Sequence, residues 1–241
     1  MAASRIRAVF FDAGNTLIFP RLEELAQELT AQGYPATPED FFASERAGKA
    51  KLAAWLRPEF ESGTIPRSVD HVYWAEYLRA LAERLGVPEA ERKALTHRLG
   101  ERFADILVWS RVSPETPPFL DSLRAQGFAL GVISNSNGMI EQQLTRVDLA
   151  RRFEFILDSH VVCVEKPHPE IFEMALARAR VAASEAVFVG DSYAVDVGGA
   201  RASGLHGVLF DRVGAHDSDE RLDCPRITSL PELQQILDSL A

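Results

Sequence analysis

The stretch AVFFDAGNTLIF, residues 8–19, is an apolar run that ends in one aspartate, Asp12, and a Gly-Asn-Thr turn. Short apolar runs that are rich in β-branched and aromatic residues and end at turn residues predict buried strands. Residues 6–12 therefore predict a strand with Asp12 at its carboxyl end. A carboxylate in that position requires a reason, because burying an unpaired charge is costly.

Three later runs have the same character, at 128–135, 186–191 and, more weakly, 206–211. Helix-like patterns separate them, and strands that alternate with helices predict right-handed crossovers and a parallel, doubly wound α/β sheet. Ligands of such sheets bind at the carboxyl ends of the strands. The polar residues at these predicted ends are Asp12, Ser134, Asn135, Asp191 and Asp211.

A long segment, residues 18–112, interrupts this alternation. It has helix-like periodicity, prolines punctuate it, and no strand signal competes. The simplest interpretation is an all-helical lobe inserted in a loop of the sheet domain, since insertions at loop tips are tolerated. We therefore predict a core domain of residues 1–17 and 113–241 and a cap domain of residues 18–112, with helices near 21–32, 38–57, 68–85 and 88–107. Residues 214–225 predict a polar surface loop.

Composition narrows the class of partner. The chain has 241 residues, of which 46% are hydrophobic, and 35 acidic against 26 basic residues give a net charge of −9. An acidic chain does not attract nucleic acid or anionic lipid, and no apolar run is long enough for a spanning helix. Two cysteines, Cys163 and Cys224, are too few for a disulfide framework. We expect a cytoplasmic protein without a nucleic-acid or membrane partner.

The polar strand ends form a set suited to phosphoryl transfer. Asp12 can attack phosphorus as a carboxylate nucleophile, and water then cleaves the aspartyl phosphate. The turn that follows, with Asn15 and Thr16, supplies backbone N–H groups that can surround an anion. Lys166 can neutralise the attacked phosphoryl group and the nucleophile together.

Two further pairs of residues complete the set. Ser134 and Asn135 can donate hydrogen bonds to phosphoryl oxygens, or they can cap the helix that follows. Asp191 can hold Mg²⁺, which prefers one or two carboxylates together with carbonyl, water and phosphate oxygens. Asp196, five residues later, can orient a metal-bound water or pair with Lys166.

These four stretches, DAGNTL, SN, KPHPEIF and GDSYAVD, resemble in order the four motifs of the haloacid dehalogenase (HAD) superfamily. The resemblance covers about residues 6–17 and 113–213, and the helical insertion after the first motif resembles the C1 cap of subfamily I. It implies a Rossmann-like core and a hydrolase of small phosphorylated molecules that uses Mg²⁺ held by Asp12, the Gly14 carbonyl and Asp191. It also implies Asp12 and Lys166 as catalytic residues, Asp196 in support, and phosphate ligands Asn15, Thr16, Ser134, Asn135 and Lys166.

Gly14 departs from that pattern. Phosphatases of the superfamily normally have a second aspartate two residues after the nucleophile, which protonates the leaving alcohol and later activates water. Here only the backbone carbonyl remains, so we expect metal binding to be retained and acid–base catalysis at this position to be lost. Such catalysis is typically worth about 10²- to 10⁴-fold in rate.

Three interpretations follow. In the first, the protein is a phosphatase whose leaving group needs little protonation, as in an acyl phosphate, or whose proton comes from the substrate or the cap. In the second, it attacks carbon as dehalogenases do, although that branch usually lacks the acidic motif GDSYAVD. In the third, it is a non-catalytic phospholigand-binding or protein-interaction module. The candidates for a proton source in the cap are Glu45, Lys49, Glu61 and His71, each of which also suits a solvated surface.

Overall fold

The computed structural model describes residues 5–214 and 223–240, so most of the predicted loop at 214–225 lies outside the described residues. Its strands are β1 (Ala8–Phe11), β2 (Phe19–Pro20), β3 (Trp109–Arg111), β4 (Ala129–Ser134), β5 (Phe155–Asp158), β6 (Ala186–Gly190), β7 (His206–Phe210) and β8 (Arg226–Ile227). Six of them form a parallel sheet in the order β5-β4-β1-β6-β7-β8. The chain extends the sheet to one side of β1 and then to the other, which is the predicted doubly wound arrangement.

Helices cover both faces of this sheet. In chain order they are α1 (Leu22–Ala31), α2 (Pro38–Ser62), α3 (Asp70–Arg84), α4 (Glu89–Ala104), α5 (Thr116–Ala125), α6 (Ile140–Arg146), α7 (Ser159–Val162), α8 (Pro169–Ala179), α9 (Gly198–Ala202) and α10 (Leu233–Ser239). Strand β1 shows why two layers are needed, because Val9 and Phe11 pack with α5, α6 and α10 while Ala8 and Phe10 pack with α8 and α9. A parallel strand is apolar on both sides for this reason.

Helices α1 to α4 form a helical lobe, residues 22–104, with an apolar cluster of its own around Leu25, Phe41, Leu81 and Leu95. Their bounds lie within about three residues of the predicted helices except at the end of α2. That helix continues through Pro58 to Ser62, and the C-cap residue Gly63 has a φ of 73°, which suits a residue without a side chain. The division into a core domain and a cap domain at residues 17 and 113 stays a prediction.

The segment from 18 to 112 is not entirely helical, and that expectation was wrong. Strands β2 and β3 pair antiparallel where the chain enters and leaves the lobe. Both strands are too short, at two and three residues, to produce an alternating pattern. Their pairing holds the two connections of the lobe side by side.

Two strands of the main sheet also escaped prediction. Strand β5 has four residues and β8 has two, and both lie at the outer edges of the sheet. Short edge strands have a weak apolar signal because only part of their surface is covered. The strands that carry the predicted site residues were all predicted.

The helical lobe rests on the carboxyl edge of the sheet. Leu52 and Leu56 of α2 pack with Val195 from the segment after β6. Glu165 accepts hydrogen bonds from the backbone N–H groups of Val69 and Asp70 at the start of α3, at 2.6 and 3.1 Å. These contacts enclose the strand ends. Within residues 5–214 and 223–240, no helix combines the length and apolar character that crossing a membrane requires.

Candidate active site

Three neighbouring strands bring the predicted residues together. Strands β4, β1 and β6 lie side by side, and Ser134, Asp12 and Asp191 stand at or directly after their carboxyl ends. The first two are buried, with Ser134 3% and Asp12 8% exposed. Residues distant in sequence therefore share one site, because parallel strands end at the same edge of the sheet.

Lys166 provides a fixed positive charge at this edge. Its Nζ lies 2.6 Å from Asp12 Oδ1 and 2.8 Å from Asp196 Oδ1. Burial lowers the pKa of a lysine, but here the two carboxylates outweigh burial and hold the pKa of Lys166 above its usual value. Asn135 positions the lysine, since its Oδ1 accepts from Lys166 N at 2.7 Å and its Nδ2 donates to Lys166 O at 3.0 Å.

Asp12 is held at both carboxylate oxygens. Lys166 contacts Oδ1, and Thr16 Oγ1 donates to Oδ2 at 3.4 Å. Burial raises the pKa of Asp12 to about 7, Asp196 and Asp191 act in the same direction, and Lys166 opposes them. The carboxylate is therefore oriented, and its ionisation depends on the positive charge beside it.

Three carboxylates are close enough to share a cation. Asp12, Asp191 and Asp196 each place an oxygen within 4.8 Å of the others. Carboxylate oxygens suit Mg²⁺, and a divalent ion offsets the repulsion among three such groups. The donor set therefore fits the metal that the sequence implied. Gly14 lines the same cavity. The cluster also includes Asp196, and its ion pair with Lys166 is one of the two roles predicted for it.

A second buried lysine reaches this cluster from the helical lobe. Lys49 Nζ lies 2.7 Å from Asp191 Oδ2 and 2.7 Å from Glu45 Oε1. Lys49 and Glu45 are both buried, so the alternative of a solvated surface residue was wrong for these two. The other two cap candidates, Glu61 and His71, are exposed.

A cavity of about 420 Å³ separates the sheet edge from the lobe. Its two walls differ in character. The core wall is the polar set Asp12, Ser134, Asn135, Lys166, Asp191 and Asp196. The lobe wall, including the returning strand β3, is mainly the apolar set Leu52, Tyr73, Trp74, Leu78, Phe103 and Trp109.

Trp109 connects the two walls. Its Nε1 donates to Phe103 O at 2.8 Å, and the Phe103 ring lies tilted against that of Trp74, with 5.3 Å between the ring centroids. A Cβ atom added to Gly14 would meet Trp109 Cζ3 at 3.4 Å. The indole therefore covers the point from which a side chain at position 14 would project. The φ of Gly14 lies outside the left-handed region, so its backbone does not itself require glycine.

Asp70, the first residue of α3, lines the cavity and was missed by sequence reasoning. Its Oδ1 accepts a hydrogen bond from Asn135 Nδ2 at 2.9 Å. Burial raises the pKa of Asp70 to about 6, Glu165 adds to the rise, and the Asn135 hydrogen bond opposes it. An aspartate at the start of a predicted helix is typical of a helix terminus, so nothing in the sequence marks it as a site residue.

Two backbone N–H groups of the turn after Asp12 donate within the turn itself. Asn15 N donates to Ile18 O at 2.8 Å and Thr16 N donates to Ala13 O at 3.3 Å, so these N–H groups are used within the turn. The side chain of Asn15 remains at the cavity, whereas Thr16 is not among the lining residues. The placement of Thr16 favours orienting Asp12 over contacting phosphate.

Two further expectations are resolved by hydrogen bonding. Asp158, not Ser134 or Asn135, satisfies the start of the segment leading into α6, since its oxygens accept from Gly138 N at 3.1 Å and Ile140 N at 3.3 Å. Asp211, predicted at the end of β7, is buried in an ion pair of 3.2 Å with Arg226. It is not among the residues that line the cavity.

A buried carboxylate and lysine at the switch point of a doubly wound sheet, beneath a helical lobe, define a class of hydrolase site. The family of haloacid dehalogenase-like hydrolases matches residues 6–204. The chain belongs to this family.

Three relatives illustrate the range of the family. The chain is 31% identical to haloacid dehalogenase-like hydrolase domain-containing protein 3 of Mus musculus, across 98% of this chain and 94% of that protein. It is 32% identical to the ribulose-1,5-bisphosphate 5-phosphatase of Halopiger xanaduensis, across 90% and 89% of the two chains. Among solved structures, the 2-haloacid dehalogenase of Pseudomonas syringae matches with a TM-score of 0.57 and 29% identity, across 98% of this chain and 100% of the other.

Proposed function

We propose that the protein is a Mg²⁺-dependent phosphatase that hydrolyses small phosphorylated molecules through an aspartyl phosphate on Asp12. The observation that carries this proposal is the buried cluster in which Lys166 bridges Asp12 and Asp196 while Asp191 stands within the same 4.8 Å group. The three carboxylates and Glu45 outnumber the ammonium groups of Lys166 and Lys49 that contact them, so negative charge remains that a divalent cation can balance. The helical lobe acts as a C1-type cap in this proposal.

The first chemical step uses the geometry of Asp12. One carboxylate oxygen forms a bond to phosphorus while the bond from phosphorus to the leaving oxygen breaks. Lys166 stays protonated, neutralises the developing charge and keeps Asp12 oriented. The buried Ser134 hydroxyl and the Asn15 side chain line the cavity beside Asp12 and can donate to phosphoryl oxygens.

Asp12, the Gly14 carbonyl and Asp191 would hold Mg²⁺, which when bound offsets the repulsion between these carboxylates and the phosphate. Asp196 is a positioning residue, because it accepts from Ser192 N at 2.9 Å and pairs with Lys166. In the second step water attacks the phosphorus of the aspartyl phosphate, which releases inorganic phosphate and restores Asp12.

Gly14 stands, in this proposal, where phosphatases of the family have their proton donor. The dehalogenase-like alternative draws support from the similarity to the Pseudomonas syringae enzyme and from the apolar lobe wall. The acidic cluster is the argument against it, since attack on carbon does not need a cation at Asp191. A non-catalytic binding module is the weaker alternative, because so costly a group of buried charges has no evident use in an idle site.

One experiment separates the three functions. Phosphate release from p-nitrophenyl phosphate and acetyl phosphate is measured with Mg²⁺ and with EDTA, and halide release from 2-chloropropionate is measured in parallel. A phosphatase releases phosphate only with Mg²⁺, and a dehalogenase releases halide in EDTA. Beryllofluoride, which mimics an aspartyl phosphate, should bind with Mg²⁺ and give a bound ¹⁹F NMR signal that Asp12→Asn removes. A protein that releases no phosphate and gives no bound ¹⁹F signal would contradict the proposal.

A further inference from the structure

We infer that Asp70, at the start of α3 in the helical lobe, is the acid and base that serves the leaving group and the attacking water. This inference rests on the proposed phosphatase function. It assigns proton transfer to the lobe, because the core has Gly14, without a side chain, where phosphatases of the family have their acid. The observation behind it is where Asp70 lies. It lines the cavity together with Asp12 and Lys166, and it is hydrogen-bonded to Asn135, the residue that positions Lys166.

The carboxylates that line this cavity differ in their partners. Asp12 and Asp196 contact Lys166, and Asp191 contacts Lys49, so an ammonium group lies beside each of the three. Each also has another part in the proposed reaction, since Asp12 is the nucleophile, Asp191 would hold the metal and Asp196 positions Lys166. The acid must therefore come from outside this ion-paired cluster.

Two cavity carboxylates remain, Glu165 and Asp70. Both oxygens of Glu165 are occupied, since Oε1 accepts from Ser68 Oγ at 2.9 Å and Oε2 accepts from Val69 N at 2.6 Å. These hydrogen bonds hold Glu165 at the start of α3. Asp70 instead uses Oδ1 for its hydrogen bond with the Asn135 side chain. Among the described carboxylates of the cavity, Asp70 is the one suited to carry and transfer a proton.

The electrostatic surroundings agree with that role. The groups that act on Asp70 are Glu165 and Asp196, which favour its protonated form, and Lys166, which favours its ionised form. Burial dominates and raises the pKa of Asp70 to about 6. A catalytic acid and base works best when its pKa lies near the operating pH.

The two steps balance with one proton. When Asp12 attacks, the electron pair of the broken bond between phosphorus and the leaving oxygen takes the proton of Asp70, so an alcohol leaves and Asp70 becomes a carboxylate. In the second step that carboxylate takes a proton from the water that attacks the aspartyl phosphate. Inorganic phosphate leaves and Asp70 is protonated again.

The test is the dependence of kcat/KM on the leaving group, measured for wild type and Asp70→Asn with acetyl, p-nitrophenyl, phenyl and alkyl phosphates. The amide keeps an oxygen that can accept from Asn135 but cannot donate an acidic proton. We expect kcat/KM for alkyl phosphates to fall about 10²- to 10⁴-fold, and less than about tenfold for acetyl and p-nitrophenyl phosphate. His71→Gln is the matched control, because His71 is the adjacent, exposed residue of α3 and should leave the series unchanged.

A pH profile gives an independent readout on the wild-type protein. Because the acid must be protonated, kcat/KM for phenyl phosphate should fall as pH rises through about 6, and Asp70→Asn should lose that limb. Folding should not confuse the result. Because burial raises the pKa of Asp70 in the folded protein, ionisation of Asp70 lowers the free energy of unfolding as pH rises from the pKa in the unfolded chain through about 6. Asp70→Asn removes this ionisation and should keep or raise the melting temperature at pH 7.5.

The outcomes separate the inference from the proposed function. A wild-type protein that hydrolyses no phosphate ester or acyl phosphate contradicts both. Suppose instead that the wild-type protein is active with Mg²⁺ and that Asp70→Asn has the same leaving-group dependence and pH profile. That result overturns the role of Asp70 alone. Loss of the same activity on every substrate, with the pH limb retained, would show that Asp70 only holds Asn135 in place.

Discussion

The two walls of the cavity are built by different rules. The core wall consists of polar and charged residues at the carboxyl edge of the sheet, and Lys166 contacts both Asp12 and Asp196 there. The lobe wall consists mainly of aromatic and aliphatic side chains on helices and on β3, with Asp70 at its margin. In the proposed reaction the core wall acts on phosphorus, whereas the lobe wall selects and serves the leaving group.

Breaking the core wall at Asp12 should have the largest effect. Asp12→Asn removes the anionic nucleophile while Lys166 keeps its contact with Asp196, so we expect turnover to fall by at least about 10³-fold with the fold retained. Phosphate release and the melting temperature measure this. Thr16→Val is the matched control, since it removes only the 3.4 Å hydrogen bond to Asp12 and should cost less than about tenfold. A variant Asp12→Asn that keeps a tenth of the activity would remove the covalent step from the proposal.

The same contrast explains what the sequence could predict. Asp12, Ser134 and Asp191 follow strands with strong apolar signals, and a parallel sheet necessarily brings such ends together. Glu45 and Lys49 lie within α2, where nothing local distinguishes a buried charged pair from a solvated one. Their burial depends on how the lobe rests on the core, which periodicity does not encode.

Position 14 shows the limit in another way. The resemblance to the first motif of the family marked the missing aspartate, but not the residue that covers Gly14. Trp109 lies 95 residues further along the chain (109 − 14) and reaches Gly14 only because β3 pairs with β2. A two-residue strand such as β2 leaves no detectable pattern.

The lobe wall can be tested through its charged pair. Lys49 Nζ contacts Asp191, a proposed metal ligand, at 2.7 Å, and a positive charge so close weakens the attraction of that ligand for a cation. The double variant Lys49→Met with Glu45→Gln should therefore bind Mg²⁺ about tenfold more tightly in isothermal titration calorimetry. The double change avoids leaving Glu45 as an unpaired buried charge, which is strongly destabilising.

Glu45→Gln alone is the matched control with the opposite sign. Without Glu45, Lys49 still contacts the carboxylate of Asp191. Because the lysine charge then acts on Asp191 without the opposing charge of Glu45, the single variant should bind Mg²⁺ less tightly than wild type. Equal affinities in all three proteins would mean that Lys49 does not influence the metal ligands. That result would assign the pair to lobe packing.

The aromatic part of the lobe wall should control which leaving groups bind. Trp74→Leu should raise KM for phenyl and naphthyl phosphates by about tenfold with little change in kcat, because an aromatic contact adds about 0.5–1.5 kcal/mol to apolar burial. Acetyl phosphate, which has no ring, should show no such change. Trp55→Leu is the control, since Trp55 is an exposed tryptophan of the lobe, 37% accessible. A uniform change across all substrates would indicate a general distortion of the lobe.

The smallest effect is expected at Gly14, where the two walls touch. If Asp70 already supplies the proton, Gly14→Asp adds a redundant acid, and kcat/KM for alkyl phosphates should change by less than about tenfold. The backbone accepts the substitution because the φ of Gly14 is not left-handed. The new Cβ would stand 3.4 Å from Trp109 Cζ3, at the near limit of ordinary van der Waals contact.

The informative measurement is Gly14→Asp in the Asp70→Asn background. There the core wall would again carry a proton donor two residues after Asp12, and kcat/KM for alkyl phosphates should recover a large part of the 10²- to 10⁴-fold loss expected for Asp70→Asn alone. Rescue confined to poor leaving groups would show that the two positions perform the same proton transfer from opposite walls. If Gly14→Asp raises the rate equally in both backgrounds, Asp70 was not the limiting acid. The proton would then come from the substrate or from another group of the lobe.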